Sequence, residues 1–341
     1  MSAAARIHRA AAAHILLPAA TTGFLLIVSC RDALAWGWRG HEIINRRAVE
    51  LLPEPAHAAW SPFAAQLVAQ ANDADDRKDT SREESPRHFI NIDVYGPPPF
   101  EIISHDRQVL EKEHGVDEVR RRGIIPWAIE ETYADVVAAL KQGDWAQAST
   151  RAADLGHYVA DVHQPLHCTK NFDGQFTGNK GVHYLFEVTM LDRYLQESML
   201  ASSATVPEMA EMRAADLCFL WVAEAYDGIE PILEADRAAR ALDSSREDLY
   251  LEHLWEGTRE VAIRQIDSAA RDLAILLQAA WVEAGSPPSP ANASIATDGP
   301  SVWQERAAHP KKSDDEPFPI GLTIAGIVSG IIFAMYFVGS D

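Results

Sequence analysis

The sequence predicts an all-α fold, a multi-helix bundle, from three observations. Apolar residues recur at spacings of three and four across most of the stretch from Trp36 to Gly285. Strand signals are thin: only Phe89-Ile-Asn-Ile-Asp-Val94 alternates for long enough. No internal repeat breaks the pattern, so six to eight helices with some long loops are expected.

Taken in order, the helix candidates cover about 40–52, 56–72, 125–141, 144–162, 182–199, 207–227 and 246–283. The clearest begins at Asp144, a residue suited to an N-cap, and runs to about Val162. Trp145, Ala148, Ala152, Leu155, Val159 and Val162 form one apolar stripe along it. Pro165 then stops the helix.

Both ends differ from this domain. Residues 1–35 read as a secretory signal peptide: Arg6 and Arg9, an apolar stretch from Ala10 to Val28, then the small-x-small signature Ala33-Leu34-Ala35. Cleavage there makes Trp36 the first residue of the mature chain, so the protein is expected to be exported. Residues 286–319, opening with Ser286-Pro-Pro-Ser-Pro290, read as a flexible linker. Residues 320–338 carry no charge and, at 1.5 Å per residue, span roughly 28 Å, enough for a C-terminal transmembrane helix. Gly326 and Gly330 would let that helix pack closely against another. The expected arrangement is a domain, 36–285, held outside the cytoplasm by a membrane anchor. Lys311 and Lys312, on the outer side of that anchor, run mildly against the positive-inside tendency.

The net charge is -20, of which the signal region carries +2 and the tail beyond Gly285 carries -3, leaving the domain at about -19. Such a surface repels nucleic acid and anionic lipid at long range, and no basic stripe with interleaved aromatics offsets it. Three cysteines do not make a disulfide scaffold, although Cys168 and Cys218 could pair in an oxidising compartment.

The chemistry lies in the histidines. In His157-x3-Asp161 an imidazole and a carboxylate share one helical face, roughly opposite the apolar stripe. His167 returns from the turn after Pro165, and His183-x3-Glu187 repeats the spacing. One such pair is more often a surface ion pair. Two within about thirty residues, bracketing a His-Gln-Pro-Leu-His turn, supply the nitrogen and oxygen donors that zinc accepts.

The run His157-Tyr-Val-Ala-Asp161-Val-His-Gln-Pro-Leu-His167 resembles the signature of the superfamily that joins zinc-dependent phospholipase C to the single-strand-specific zinc nucleases. The resemblance covers residues from Trp36 to about 195. It implies a helical domain with three zinc ions held by Trp36, through its free amine and carbonyl, and by His41, an aspartate, His88, His157, Asp161, His167, His183 and Glu187. For the aspartate, spacing before His88 favours Asp73, and the Ala-Asp context favours Asp75; Asp73 is preferred. Asp161 would bridge metals, and Asp73 would also orient the attacking water, which makes these two the catalytic candidates. The Trp36-to-His41 spacing leans to the nucleases and Glu187 to the phospholipases, so the phosphodiester substrate is either nucleic acid or phospholipid.

Other residues have plainer readings. His163 is expected to stand behind the ligands or to cap the helix. His57, His105, His114, His253 and His309 read as ordinary surface residues. Arg77 would either grip a phosphate oxygen or lie solvated. The contrasting function is a non-catalytic, membrane-tethered zinc-binding module, disfavoured because structural zinc sites are usually closed and poor in carboxylate. A di-iron carboxylate protein would need Glu-x-x-His pairs, which this region lacks. The sequence points to no protein partner.

Overall fold

A computed structural model describes residues 36–290 apart from 202, 210 and 243–245. Residues 1–35, expected as a signal peptide, the expected linker beyond residue 290 and the apolar segment 320–338, expected as a transmembrane helix, lie outside the described residues. No helix among the described residues is long and apolar enough to cross a membrane.

The described chain is helical, with no strand. α1 (Gly37–Leu51) leads through the short α2 (Ala56–Trp60) and α3 (Ala64–Ala69) to α4 (Asp73–Lys78). A loop with two 3-10 turns follows, then α5 (Arg107–His114), α6 (Val116–Arg121) and the antiparallel pair α7 (Ile125–Lys141) and α8 (Trp145–Val162). α9 (Val182–Tyr184) runs on through a π-helical stretch, Leu185–Met190, into α10 (Leu191–Tyr194). α11 (Ala214–Tyr226), α12 (Ile229–Arg240) and the 37-residue α13 (Glu247–Glu283) complete the bundle.

α8 is the axis of the fold. Asp144 caps it, its carboxylate accepting the Gln147 backbone N–H at 3.0 Å. The apolar stripe packs on α7, α1 and α13. The opposite face, with Asp154, His157 and Asp161, is buried as well. A helix buried all round must satisfy its polar face from within the protein, which is where the site arises. Trp60 and Phe63 close one end of the core against Trp145, with ring centroids 5.3 and 5.1 Å away.

Gly156 sets how closely α1 approaches α8. A Cβ there would come within 2.3 Å of Asn45 Oδ1. The missing side chain makes room for the Asn45 carboxamide between the two helices, and nearby the rings of His41 and His157 stack at 3.9 Å.

Several sequence expectations are corrected. The alternating run Phe89–Val94 is not a strand. Phe89 is extended, but Ile90 donates to the His167 carbonyl and Asn91 to that of Arg122, and Ile92–Val94 is a 3-10 turn. The Phe89 carbonyl also accepts from Ile125, but bonds divided between two segments and ended by a 3-10 turn do not extend into a ladder. The 56–72 helix is split by the 3-10 turn Ser61–Phe63 at Pro62. The 207–227 candidate starts only at Ala214, and α5, α6 and α12 were not foreseen. The first residues of the 286–319 linker are held on the domain, where Trp281 and Trp145 donate their indole N–H groups to the carbonyls of Pro287 and Pro288. Cys168 and Cys218 are both buried free thiols.

Candidate metal centre

Four parts of the chain converge at the C-terminal half of α8. α8 supplies His157 and Asp161, α1 supplies His41, α4 supplies Asp75, and the 3-10 turn Ser85–His88 supplies His88. On the far side of Asp161, the turn Pro165–Cys168 brings His167, while α9 and its π-helical continuation bring His183 and Glu187.

The donor atoms fall into three buried groups: His41, His157 and Asp161; Asp75, His88 and His157; and His167, His183 and Glu187. His88 Nδ1 lies 2.8 Å from Asp161 Oδ2 and 3.1 Å from His157 Nε2, and His157 Nε2 lies 3.5 Å from Asp75 Oδ1. Asp161 Oδ1 is 3.5 Å from His41 Nε2, so one carboxylate faces both halves of the first cluster. In the third group His183 Nε2 is 2.8 Å and His167 Nε2 3.8 Å from Glu187 Oε2.

Backbone carbonyls fix which nitrogen each ring offers. His157 donates from Nδ1 to the Ala71 carbonyl at 2.8 Å, and His167 donates from Nδ1 to the His88 carbonyl at 2.7 Å. With Nδ1 so committed, each ring turns Nε2 into the cluster, and that is the nitrogen a metal would take once it carries no proton. Gln164 donates to Glu187 Oε2 at 2.7 Å. His88 turns Nδ1 inward and presents Nε2 to Glu84 at 3.4 Å. Behind Glu84 stands a network in which Tyr158 donates to Glu84, and Arg77 reaches Glu84 and Asp154.

The remaining polar atoms fit a metal. Both ring nitrogens of His41, Asp161 Oδ1, His167 Nε2, His183 Nδ1 and Glu187 Oε1 are buried with no hydrogen-bond partner. So many buried orphans in one place would be costly unless a cation satisfied them. Nitrogen and carboxylate donors, without thiolate, suit zinc in open coordination.

Protonation follows burial and charge. Burial, reinforced by His157, holds the His41 imidazole down at about 3. Burial brings His167 and His183 to about 4. Burial would lower His157 too, but Asp161 and Asp75 outweigh it and raise it to about 10. Asp161 and Asp75 are conversely held well below the usual carboxylate range, His157 overcoming their burial. Glu187 is pushed well above that range by burial.

Seven of the residues named from sequence thus meet here: His41, His88, His157, Asp161, His167, His183 and Glu187. Asp73 does not. Two residues apart on a helix point in very different directions, and Asp73, half-buried, belongs to none of the three groups. Asp75 takes the inward position. Counting back from His88 misled because residues 79–88 form a loop whose length fixes no side-chain direction. Trp36 is buried beside the cluster. Its indole donates to the carbonyl of Ala160, next to Asp161, and its ring lies 5.8 Å from that of Phe186, next to Glu187. Its backbone is left-handed, φ 54°, a conformation rare for a bulky residue.

Residues 36–212 match the S1/P1 Nuclease family. The chain belongs to that family. The match begins at Trp36 and contains every residue of the three groups, and membership in the family, together with the donor set, supports zinc as the metal. Among solved structures, alpha toxin from Clostridium absonum is similar at 12% identity, covering 76% of this chain and 66% of the toxin, with a TM-score of 0.44. This chain therefore spans slightly under two thirds of the toxin's length. No curated protein sequence matches it.

Within the family's site, sequence reasoning missed Lys78. Its ammonium lies 2.6 Å from Asp75 Oδ1, and its side chain is 5% exposed. The i,i+3 spacing from Asp75 would have revealed it once that aspartate was chosen. Arg77 is not available to a phosphate, being engaged by Glu84, Asp154 and Tyr158. His163 caps α8 as expected, but it also lies 3.1 Å from both Asp272 Oδ2 and Gln265 Oε1, bracing α13. His105 is not a plain surface residue either: it meets Asp216 at 3.0 Å and stacks on Phe219.

Proposed function

We propose that the protein is a zinc-dependent phosphodiesterase that cleaves single-stranded nucleic acid, with three zinc ions held by the three buried groups and the Trp36 backbone. The observation that carries this reading is the convergence of eight buried His, Asp and Glu side chains on one wall of α8. Family membership favours nucleic acid over lipid. The glutamate at position 187, which the sequence resemblance associates with phospholipases, is the feature that keeps a phospholipase C as the second reading.

When bound, zinc supplies Lewis acidity and activation of water near neutral pH. The chain's own groups do the rest. Asp161, anionic at any physiological pH, faces donors of both the His41 and the His88 sides, so it holds the two halves in register. Asp75 stands at the edge with Lys78 beside it. The Lys78 ammonium, 2.6 Å from Asp75 Oδ1, offsets the negative charge of that carboxylate and fixes its direction. The carbonyls of Ala71 and His88 keep His157 and His167 in the tautomer that presents Nε2. Use of the Trp36 amine as a ligand requires removal of residues 1–35, which ties activity to export.

The test is zinc content per chain of the mature protein, alongside hydrolysis of single-stranded DNA and of a phosphatidylcholine dispersion. About three zinc ions with cleavage of the DNA is the expected result. Cleavage of the lipid alone would move the assignment to phospholipase C. Fewer than two zinc ions with neither substrate cleaved would favour a non-catalytic zinc-binding module.

A further inference from the structure

The segment that joins His167 to His183 carries features that zinc binding does not use. Among the described residues the exposed aromatic side chains are Phe172, Phe176 and Tyr184, 38%, 70% and 52% exposed, all in one short stretch. Phe172 stands at the metal groups, its ring centroid 6.1 Å from that of His183. Phe176 lies four residues farther along the same loop.

The loop is built to hold these rings rather than to yield. Asn171 accepts the Phe176 N–H at 2.8 Å and donates to Thr177 at 3.1 Å. Gln175 donates to the Lys170 carbonyl at 2.7 Å. Gly174, at φ 65°, passes so close to Asn179 that a Cβ would meet that side chain at 2.4 Å. Asn179, fully buried, is tied in turn to Asp236 and the Leu233 carbonyl. Asp93 fixes the start of the loop through Thr169 and the Lys170 N–H.

Its charge also departs from the rest of the molecule. Lys170 and Lys180 are exposed. The loop's one acid, Asp173, faces back to accept the His183 N–H at 3.3 Å. Within a chain of net charge -20 the loop presents cations outward. Rigid aromatic faces beside a cationic edge are what a single strand meets on a non-specific binding groove: bases stack, and phosphates follow the lysines. A membrane-inserting loop would need a larger apolar tip, whereas these rings are separated by Asp173, Gly174 and Gln175.

We propose that loop 170–181 is the stacking platform of the nuclease, with Phe172 and Phe176 holding bases that flank the scissile phosphate and Lys170 and Lys180 holding the neighbouring phosphates. This rests on the phosphodiesterase reading above and adds the residues that make the substrate a polynucleotide.

The experiment compares kcat/KM on an oligodeoxythymidylate with that on methyl p-nitrophenyl phosphate, a small diester without bases. It uses the mature chain with Phe172→Ala, Phe176→Ala and both. Each ring removed should lower the oligonucleotide-to-diester ratio about tenfold, chiefly through KM. Phe172→Trp and Phe176→Trp should restore it, and leucine should not. An unchanged ratio in the double variant would overturn the platform while leaving the phosphodiesterase standing. So would an unchanged ratio with weakened binding to vesicles of phosphatidylcholine and phosphatidylglycerol, which would make the loop a lipid contact. A wild-type chain that hydrolyses the small diester but no oligonucleotide would sink the nuclease reading and the platform with it.

Discussion

The two sides of Asp161 are built differently. On one side His41, His88 and His157 come from α1, a 3-10 turn and α8, and they share two carboxylates, Asp75 and Asp161. On the other, His167, His183 and Glu187 come from a 3-10 turn, α9 and its π-helical continuation, with one carboxylate of their own. The protonation balance differs accordingly. Two anions raise His157 to about 10, and His157 in turn keeps both aspartates ionised against their burial. In the other group burial dominates and pushes Glu187 toward its neutral form. The first side is therefore pre-charged for cations, whereas the second becomes a strong ligand set only as a metal displaces the Glu187 proton.

Removing the carboxylates should expose that asymmetry most sharply. Asp161→Asn takes an anion from the centre of the cluster, and it should cost at least two zinc ions per chain and about three orders of magnitude in kcat/KM. Glu187→Gln should cost one zinc ion and leave the His41 and His88 side loaded. Metal analysis of the two purified variants distinguishes them, and equal losses would show that the sides are not independent. One step smaller is the choice of aspartate. Asp75→Asn should lower zinc content and reduce activity by at least 10- to 100-fold, while Asp73→Asn should leave the zinc count alone. A lost zinc ion in the Asp73 variant alone would reverse the placement made here.

How much of this was legible in the sequence divides along the same line. α8 was readable because capping, apolar periodicity and the i,i+4 pair all sit on one continuous helix. The His183-x3-Glu187 pair was found even though its segment is π-helical, because both residues still fall on the inner face. Asp75 and Lys78 were harder. They sit on the six-residue α4, whose orientation is set by Asn72, buried and bonded to the Trp38 carbonyl, and by packing of Ala74 in the core. Such contacts leave no periodic mark. The run Phe89–Val94 shows the reverse: its alternation is real, but its hydrogen bonds go to scattered partners.

The helix crossing that supports the first side offers a further test. Gly156→Ala places a methyl group 2.3 Å from Asn45 Oδ1 and must displace that carboxamide, which donates to the His41 carbonyl, or α1 with it. Overpacking of this kind costs about 1–3 kcal/mol, or several degrees in Tm for a domain of this size. Because His41 travels with α1, zinc affinity should fall on the His41 side before that of the His167 group. The pair Gly156→Ala with Asn45→Ala should recover most of both losses. Recovery of Tm without recovery of zinc would mean that the crossing supports the fold but not the metal geometry.

The smallest effect is a proton count, and it tests the asymmetry directly. Zinc binds the neutral imidazole and the ionised carboxylate. His41, His167 and His183, held at about 3 to 4, are already neutral at pH 7 and have nothing to release. His157, raised to about 10, is protonated at pH 7 in the metal-free protein and must lose its proton to bind. Glu187, raised by burial, must do the same on the other side. Zinc affinity should therefore rise with pH above neutrality, and loading at pH 7 should release about one to two protons per chain. Calorimetric titration of the metal-free protein in two buffers of different ionisation enthalpy measures that number. Glu187→Gln should remove the share belonging to the His167 group and leave that of His157. If the variant instead abolishes all proton release, His157 is already neutral before zinc arrives, and the first side is not pre-charged.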